Sequence, residues 1–133
     1  MKYTPTKLYE ELSKTVMCQD KYLQTLSTTL WLHDIRIKSI TGRSSRINMP
    51  PKNNLLIVGP TGSGKTLALQ TISRIMKYDL LISNFASFTG AGWKGRDVEE
   101  LIKDLYFICD KDIDRTEHGI IFLDEIDKVI ETL

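Results

Sequence analysis

Gly59-Pro60-Thr61-Gly62-Ser63-Gly64-Lys65-Thr66 is the stretch that decides the fold of this 133-residue chain. It fits the pattern G-x-x-x-x-G-K-[ST]. Glycines at these places let the backbone turn sharply, so that several N–H groups face one anion. A helix beginning near Lys65 adds the positive end of its dipole. In such a loop the lysine reaches the β- and γ-phosphates and the Thr66 hydroxyl ligates Mg²⁺. The expected ligand is a nucleoside triphosphate, ATP with magnesium.

The flanks supply the context that the loop needs. Leu55-Leu56-Ile57-Val58 is a continuous apolar run, predicted to be a strand buried on both faces of a parallel sheet. Leu67, Leu69, Ile72, Ile75 and Met76 follow at helical spacing. Leu80-Leu81-Ile82 is predicted as a second strand and Ile120-Ile121-Phe122-Leu123 as a third. Between them Asp97 and Glu100 resemble a capping box. The helix they open carries Val98, Leu101, Ile102, Leu105, Tyr106 and Cys109 on one stripe. This order is that of an α/β protein of the P-loop NTPase type, a parallel sheet with flanking helices.

Upstream, Thr4-Pro5 is an N-cap followed by proline at the first helical position. Leu8, Leu12 and Val16 recur at helical spacing, and Leu23, Leu26, Leu30 and Ile37 mark a second amphipathic stretch. The expected organisation is a helical segment over 1–37, a linker over 38–53 closed by Pro50-Pro51, and an ATPase core over 54–133. Lys38, Arg43, Arg46 and Lys52 in the linker suit phosphate contacts, although such charges are ordinarily solvated.

A formal charge of +1 gives no global drive towards nucleic acid or an anionic membrane. No apolar run approaches the roughly 20 residues that span a bilayer, and the start of the chain lacks the apolar core of a secretory signal. Cys18 and Cys109 form no metal-binding pair, and read as reduced thiols of a cytoplasmic protein.

Asp124-Glu125 ends the third apolar run. Carboxylates at the carboxyl edge of a buried parallel strand stand where such sheets bind ligands. Taken alone, the pair also suits a strand ending in a solvated turn. Following a phosphate loop, Asp124 is the candidate to hold Mg²⁺ through water, and Glu125 to polarise the water that attacks the γ-phosphate.

Together these residues resemble the AAA+ ATPases, and among them the ClpX-type protein unfoldases. The resemblance covers nearly the whole chain. Val16-Met17-Cys18-Gln19-Asp20 is similar to a V-I-G-Q-like box that packs near the adenine, which makes Val16 and Met17, with Leu67 after the loop, nucleotide-contacting candidates. Ala91 to Glu99 resembles the family's A-G-Y-V-G-x-D-V-E stretch, and Gly119 to Lys128 its Walker B segment. These two are more family-specific than the phosphate loop. By the resemblance, Gly92-Trp93-Lys94-Gly95 is a pore loop whose aromatic residue grips an unfolding polypeptide. The residues by themselves also allow Trp93 to pack over the following helix. Cys18 replaces the box glycine, Lys94 replaces a small apolar pore residue, and Asn84 stands near an acidic position of relatives without an assigned role.

The resemblance further implies a hexamer, polypeptide substrates and a Clp-type peptidase partner. It implies a sheet of order 5-1-4-3-2, of which this chain supplies strands 1 to 3 and is truncated before the sensor strand, arginine finger and small helical domain. The 133 residues alone are therefore expected to hydrolyse ATP weakly or not at all. Two other readings stand beside the unfoldase: a nucleotide-binding partner of other AAA+ subunits that does not hydrolyse, and a nucleic-acid-acting P-loop ATPase.

Overall fold

The computed structural model describes residues 3–42, 52, 54–88 and 98–130. The chain divides into two compact units, Met1–Met76 and Lys77–Leu133.

The first unit is helical. Helix α1 (Pro5–Ser13) opens as predicted: the Thr4 hydroxyl accepts the Lys7 N–H at 3.3 Å, and Pro5 occupies the first turn, where its missing N–H costs nothing. Leu8 and Leu12 are fully buried, and Val16 beyond the helix end is buried too. Helix α2 (Asp20–Ile40) buries Leu23, Leu26 and Leu30 and runs three residues past the expected linker boundary at 37. The Tyr9 hydroxyl donates to Asp20 Oδ1 at 3.0 Å, pinning α1 to the start of α2. Helix α3 (Lys65–Met76) buries Ala68, Leu69 and Ile72. Each of the three helices packs on the other two. Burial of one leucine contributes about 1.5–3 kcal/mol, so this small set of apolar residues dominates the unit.

The predicted first strand is a correction. Residues 55–58 form no strand and are not buried on both faces: Leu56 is 73% exposed and Val58 87% exposed. A strand exists only through a ladder partner that satisfies its N–H and C=O groups. Among the described residues none pairs with this run, so its apolar character alone does not make it a strand. The sheet order implied by the resemblance puts no neighbour of strand 1 among strands 2 and 3.

The second unit is α/β. Strands β1 (Leu80–Asn84) and β2 (Ile120–Asp124) pair in parallel, with Leu80 opposite Ile120 and Asn84 opposite Asp124. Both extend past their predicted ends. A parallel pair requires a long crossover, and it contains α4 (Val98–Ile108) and the shorter α5 (Ile113–His118). Leu81, Leu101, Leu105 and Cys109 form the core, with Leu123 packed on it. The predicted stripe on α4 is therefore narrower than expected, because Ile102 is 55% exposed. Gly119 leads into β2, and a Cβ there would lie 2.8 Å from Leu105 Cδ2, so helix and strand approach as closely as they do only over glycine.

Helix α5 has no counterpart in the sequence pattern, since none of its residues is buried. Asp112 caps it by accepting the Arg115 N–H at 3.0 Å. The Arg115 guanidinium then grips both oxygens of Asp79, at 2.9 and 2.7 Å, and reaches Asp110 at 2.8 Å. This fork joins α5 to the residue preceding β1 and holds the Asp79 carboxyl below its ordinary range. A turn of 3₁₀-helix (Phe85–Phe88) follows β1, and α6 (Asp127–Ile130) follows β2.

Candidate functional site

The phosphate loop lies in the first unit. Gly62 and Gly64 have φ of +79° and +84°, a region that side-chain-bearing residues rarely adopt. Helix α3 begins at Lys65 and its first internal bond, Ala68 N–H to Gly64 C=O, is 3.0 Å. The opening turn of a helix leaves N–H groups without helical acceptors, so the loop delivers its donors and its dipole at one place. The Lys65 ammonium curls back over the loop and donates to the carbonyl oxygens of Gly59 at 2.6 Å and Pro60 at 2.7 Å. Both are exposed backbone acceptors, weaker partners for a cation than a phosphate oxygen.

Two residues of the helical segment reach this loop. The space where Gly64 would carry a Cβ is met by Val16 Cγ1 at 3.0 Å, which puts one of the nucleotide-contacting candidates against the loop. Met17 is 80% exposed, and Leu67 is exposed on α3. The Tyr22 hydroxyl, in the first turn of α2, donates to the Lys65 carbonyl at 2.8 Å. Burial pushes the Tyr22 phenol up to about 12, which keeps its proton in place. Between Val16 and Tyr22, Cys18 has φ +59°, a left-handed conformation that residues with a side chain rarely adopt.

The acidic pair closes β2 in the second unit. Asp124 Oδ1 accepts the Glu125 N–H at 2.9 Å. Glu125 has φ +57°, and its carboxylate is held by two donors: Asn84 Nδ2 at 2.8 Å and Lys128 Nζ at 2.9 Å. The Lys128 ammonium, and after it the Asn84 amide, hold the Glu125 carboxyl below its ordinary range. Glu125 is therefore ionised at neutral pH. Asn84 faces Asp124 across the β1–β2 ladder and also caps its own turn, its Oδ1 accepting the Ala86 N–H at 2.8 Å. Sequence reasoning left Asn84 without a role because its partner lies 41 residues away. The only local signal was a polar residue ending an apolar strand.

Thr66 in the first unit and Asp124 in the second each offer a hard oxygen donor, the type that suits Mg²⁺, an ion that takes few protein ligands and keeps water and phosphate oxygens. Among the described residues no group of three or more His, Cys, Asp or Glu side chains is placed to hold a metal. Trp93 and Lys94, the pore-loop candidates, lie outside the described residues.

Residues 55–133, more than half of the chain, match the model of the ATPase family associated with various cellular activities (AAA). The chain belongs to that family. The match spans the phosphate loop, the β1–β2 pair and the acidic strand end, so the α/β P-loop architecture and the ATPase character of AAA proteins apply to it. No helix among the described residues is long and apolar enough to cross a membrane.

Proposed function

We propose that this AAA chain is the nucleotide-binding part of a ClpX-type unfoldase, a hexameric, cytoplasmic machine that uses ATP hydrolysis to pull polypeptides and feeds them to a Clp-type peptidase. The observation that carries nucleotide binding is the octapeptide 59–66, with two glycines at positive φ and its lysine curled over the loop at the start of α3. Gly59 to Thr66 hold the polyphosphate through backbone N–H groups and the Lys65 ammonium, and Val16, Met17 and Leu67 shape the nucleoside side. Magnesium, when bound, supplies positive charge that offsets the charge developing on the transferred phosphoryl group. Thr66 and Asp124 are each proposed as a ligand that would hold it.

Glu125 orients the attacking water. Its carboxylate is ionised, the form that accepts a hydrogen bond from water and so can direct it. Asn84 and Lys128 each engage one of its oxygens, and each oxygen keeps a further lone pair with which to accept from water. The unfoldase reading draws on the stretch from Ala91 to Glu99 and on Cys18 standing at a glycine-like turn.

Isothermal calorimetry tests the binding claim: saturable heat with Mg·ADP and Mg·ATP is expected. No heat from folded protein removes it. Substrate pulling is tested separately with Trp93→Ala in an assembly that unfolds a tagged substrate, where nucleotide binding persists and unfolding falls at least about tenfold. Unchanged unfolding removes the pore assignment and leaves an ATPase of another role.

A further inference from the structure

The octapeptide supplies most of its own geometry, but the hydrogen bond from Tyr22 comes from outside it. The Tyr22 hydroxyl, on α2 and 43 residues away in sequence, donates to the Lys65 carbonyl oxygen at 2.8 Å. Lys65 is the first residue of α3. Its carbonyl has two lone pairs, so the tyrosine bond adds to the helical one without displacing it. That carbonyl shares a peptide unit with the Thr66 N–H, which belongs to the opening turn of α3 and has no acceptor within the helix.

We infer that Tyr22 is a positioning residue for the phosphate loop, its hydroxyl both fixing and polarising the Lys65–Thr66 peptide. A hydrogen bond accepted at one end of a peptide unit strengthens the donor at the other end. The Thr66 N–H therefore presents a stronger partial positive charge to an anion than an ordinary first-turn amide does. Orientation matters as much: Thr66 also carries the hydroxyl proposed for the metal, and a peptide held from α2 fixes the direction in which that residue leaves the backbone. Val16 against Gly64 holds the preceding residue by packing. Tyr22 adds the one directional tether among these contacts. Burial of the ring keeps the phenol protonated, so the tether is present throughout the neutral range. The inference rests on the reading of 59–66 as a phosphate site and names a residue outside it on which that site depends.

The test is Tyr22→Phe, which keeps the ring and removes only the hydroxyl, in the full chain. Mg·ADP affinity, read by calorimetry, is expected to weaken about 3- to 10-fold, the range for one net hydrogen bond. Affinity for adenosine, which lacks phosphate, stays within about twofold, since one polarised amide acts on charge. In the nucleotide-free protein the Thr66 amide ¹H and ¹⁵N resonances move upfield, while amides late in α3 stay in place. Placing 3-fluorotyrosine at position 22 makes the phenol a stronger donor, so it moves the same resonances downfield and tightens Mg·ADP. That reversal of sign is not produced by a residue that only fills space, and it keeps the test decisive if Tyr22→Phe fails to fold. Equal loss for adenosine and ADP, unchanged ADP affinity, or an unmoved Thr66 amide each overturn the role of Tyr22. A parent chain that binds neither ligand overturns the phosphate-site reading, and this inference with it.

Discussion

The phosphate loop and the acidic strand end are built in opposite ways. The loop is contiguous: eight neighbouring residues, two at positive φ, with the lysine satisfied by carbonyl groups five and six residues before it. The acidic end is assembled: Glu125 is held by Asn84 from the neighbouring strand and by Lys128 from the following turn. Its strand is placed by the close approach of Gly119 to Leu105. Backbone conformation makes the loop, and tertiary packing makes the acidic end. A contiguous site survives errors elsewhere in the fold, whereas an assembled one depends on every element that sets its register.

Substitutions on the two sides should separate these dependences. Glu125→Gln should have the largest effect, lowering phosphate release from Mg·ATP by about 10²- to 10⁴-fold when both versions are measured in an assembly that hydrolyses ATP. Mg·ADP affinity should stay within about twofold. Parallel loss of binding would mean that the acidic end helps hold the nucleotide and that the division of labour is false. Lys65→Ala removes the loop's ammonium and should weaken Mg·ADP about 100-fold or more in calorimetry, with thermal stability nearly unchanged because the groups it leaves are exposed. A large fall in stability would show that the loop is less self-contained than its geometry indicates.

Gly119→Ala acts on the assembled side. The added methyl would lie 2.8 Å from the buried Leu105 side chain, so denaturant unfolding should report about 1–3 kcal/mol of destabilisation. A neutral outcome would mean that α4 shifts easily against β2. The smallest effect belongs to Cys18→Gly, which relieves a left-handed cysteine and gains up to about 1 kcal/mol, reduced by the entropy of glycine in the unfolded chain. Destabilisation there would show that the cysteine side chain has a packing role.

How far the sequence could be read follows the same division. Thr4 and Pro5 cap α1 as their types predict, because a cap is settled within four residues. Leu8, Leu12, Leu23, Leu26 and Leu30 are buried where the periodicity puts them, since one face of a helix is fixed by spacing. Leu55 to Val58 failed as a strand for a non-local reason: hydrophobicity marks a segment that prefers burial, but a strand also needs a neighbour to bond with. Helix α5 escaped notice because its six residues bury none of their side chains and carry no apolar stripe, and a cap with an ion-pair fork holds it instead.

Backbone preference and spacing within a few turns are enough to set the phosphate loop, the cap of α1 and the apolar faces of α1 and α2. Packing alone brings Asn84 to Glu125, Tyr22 to Lys65 and Leu105 against Gly119. Those contacts join residues 14 to 43 positions apart. No local rule encodes such a pairing, because it exists only once the packing of helices and strands has brought the partners together.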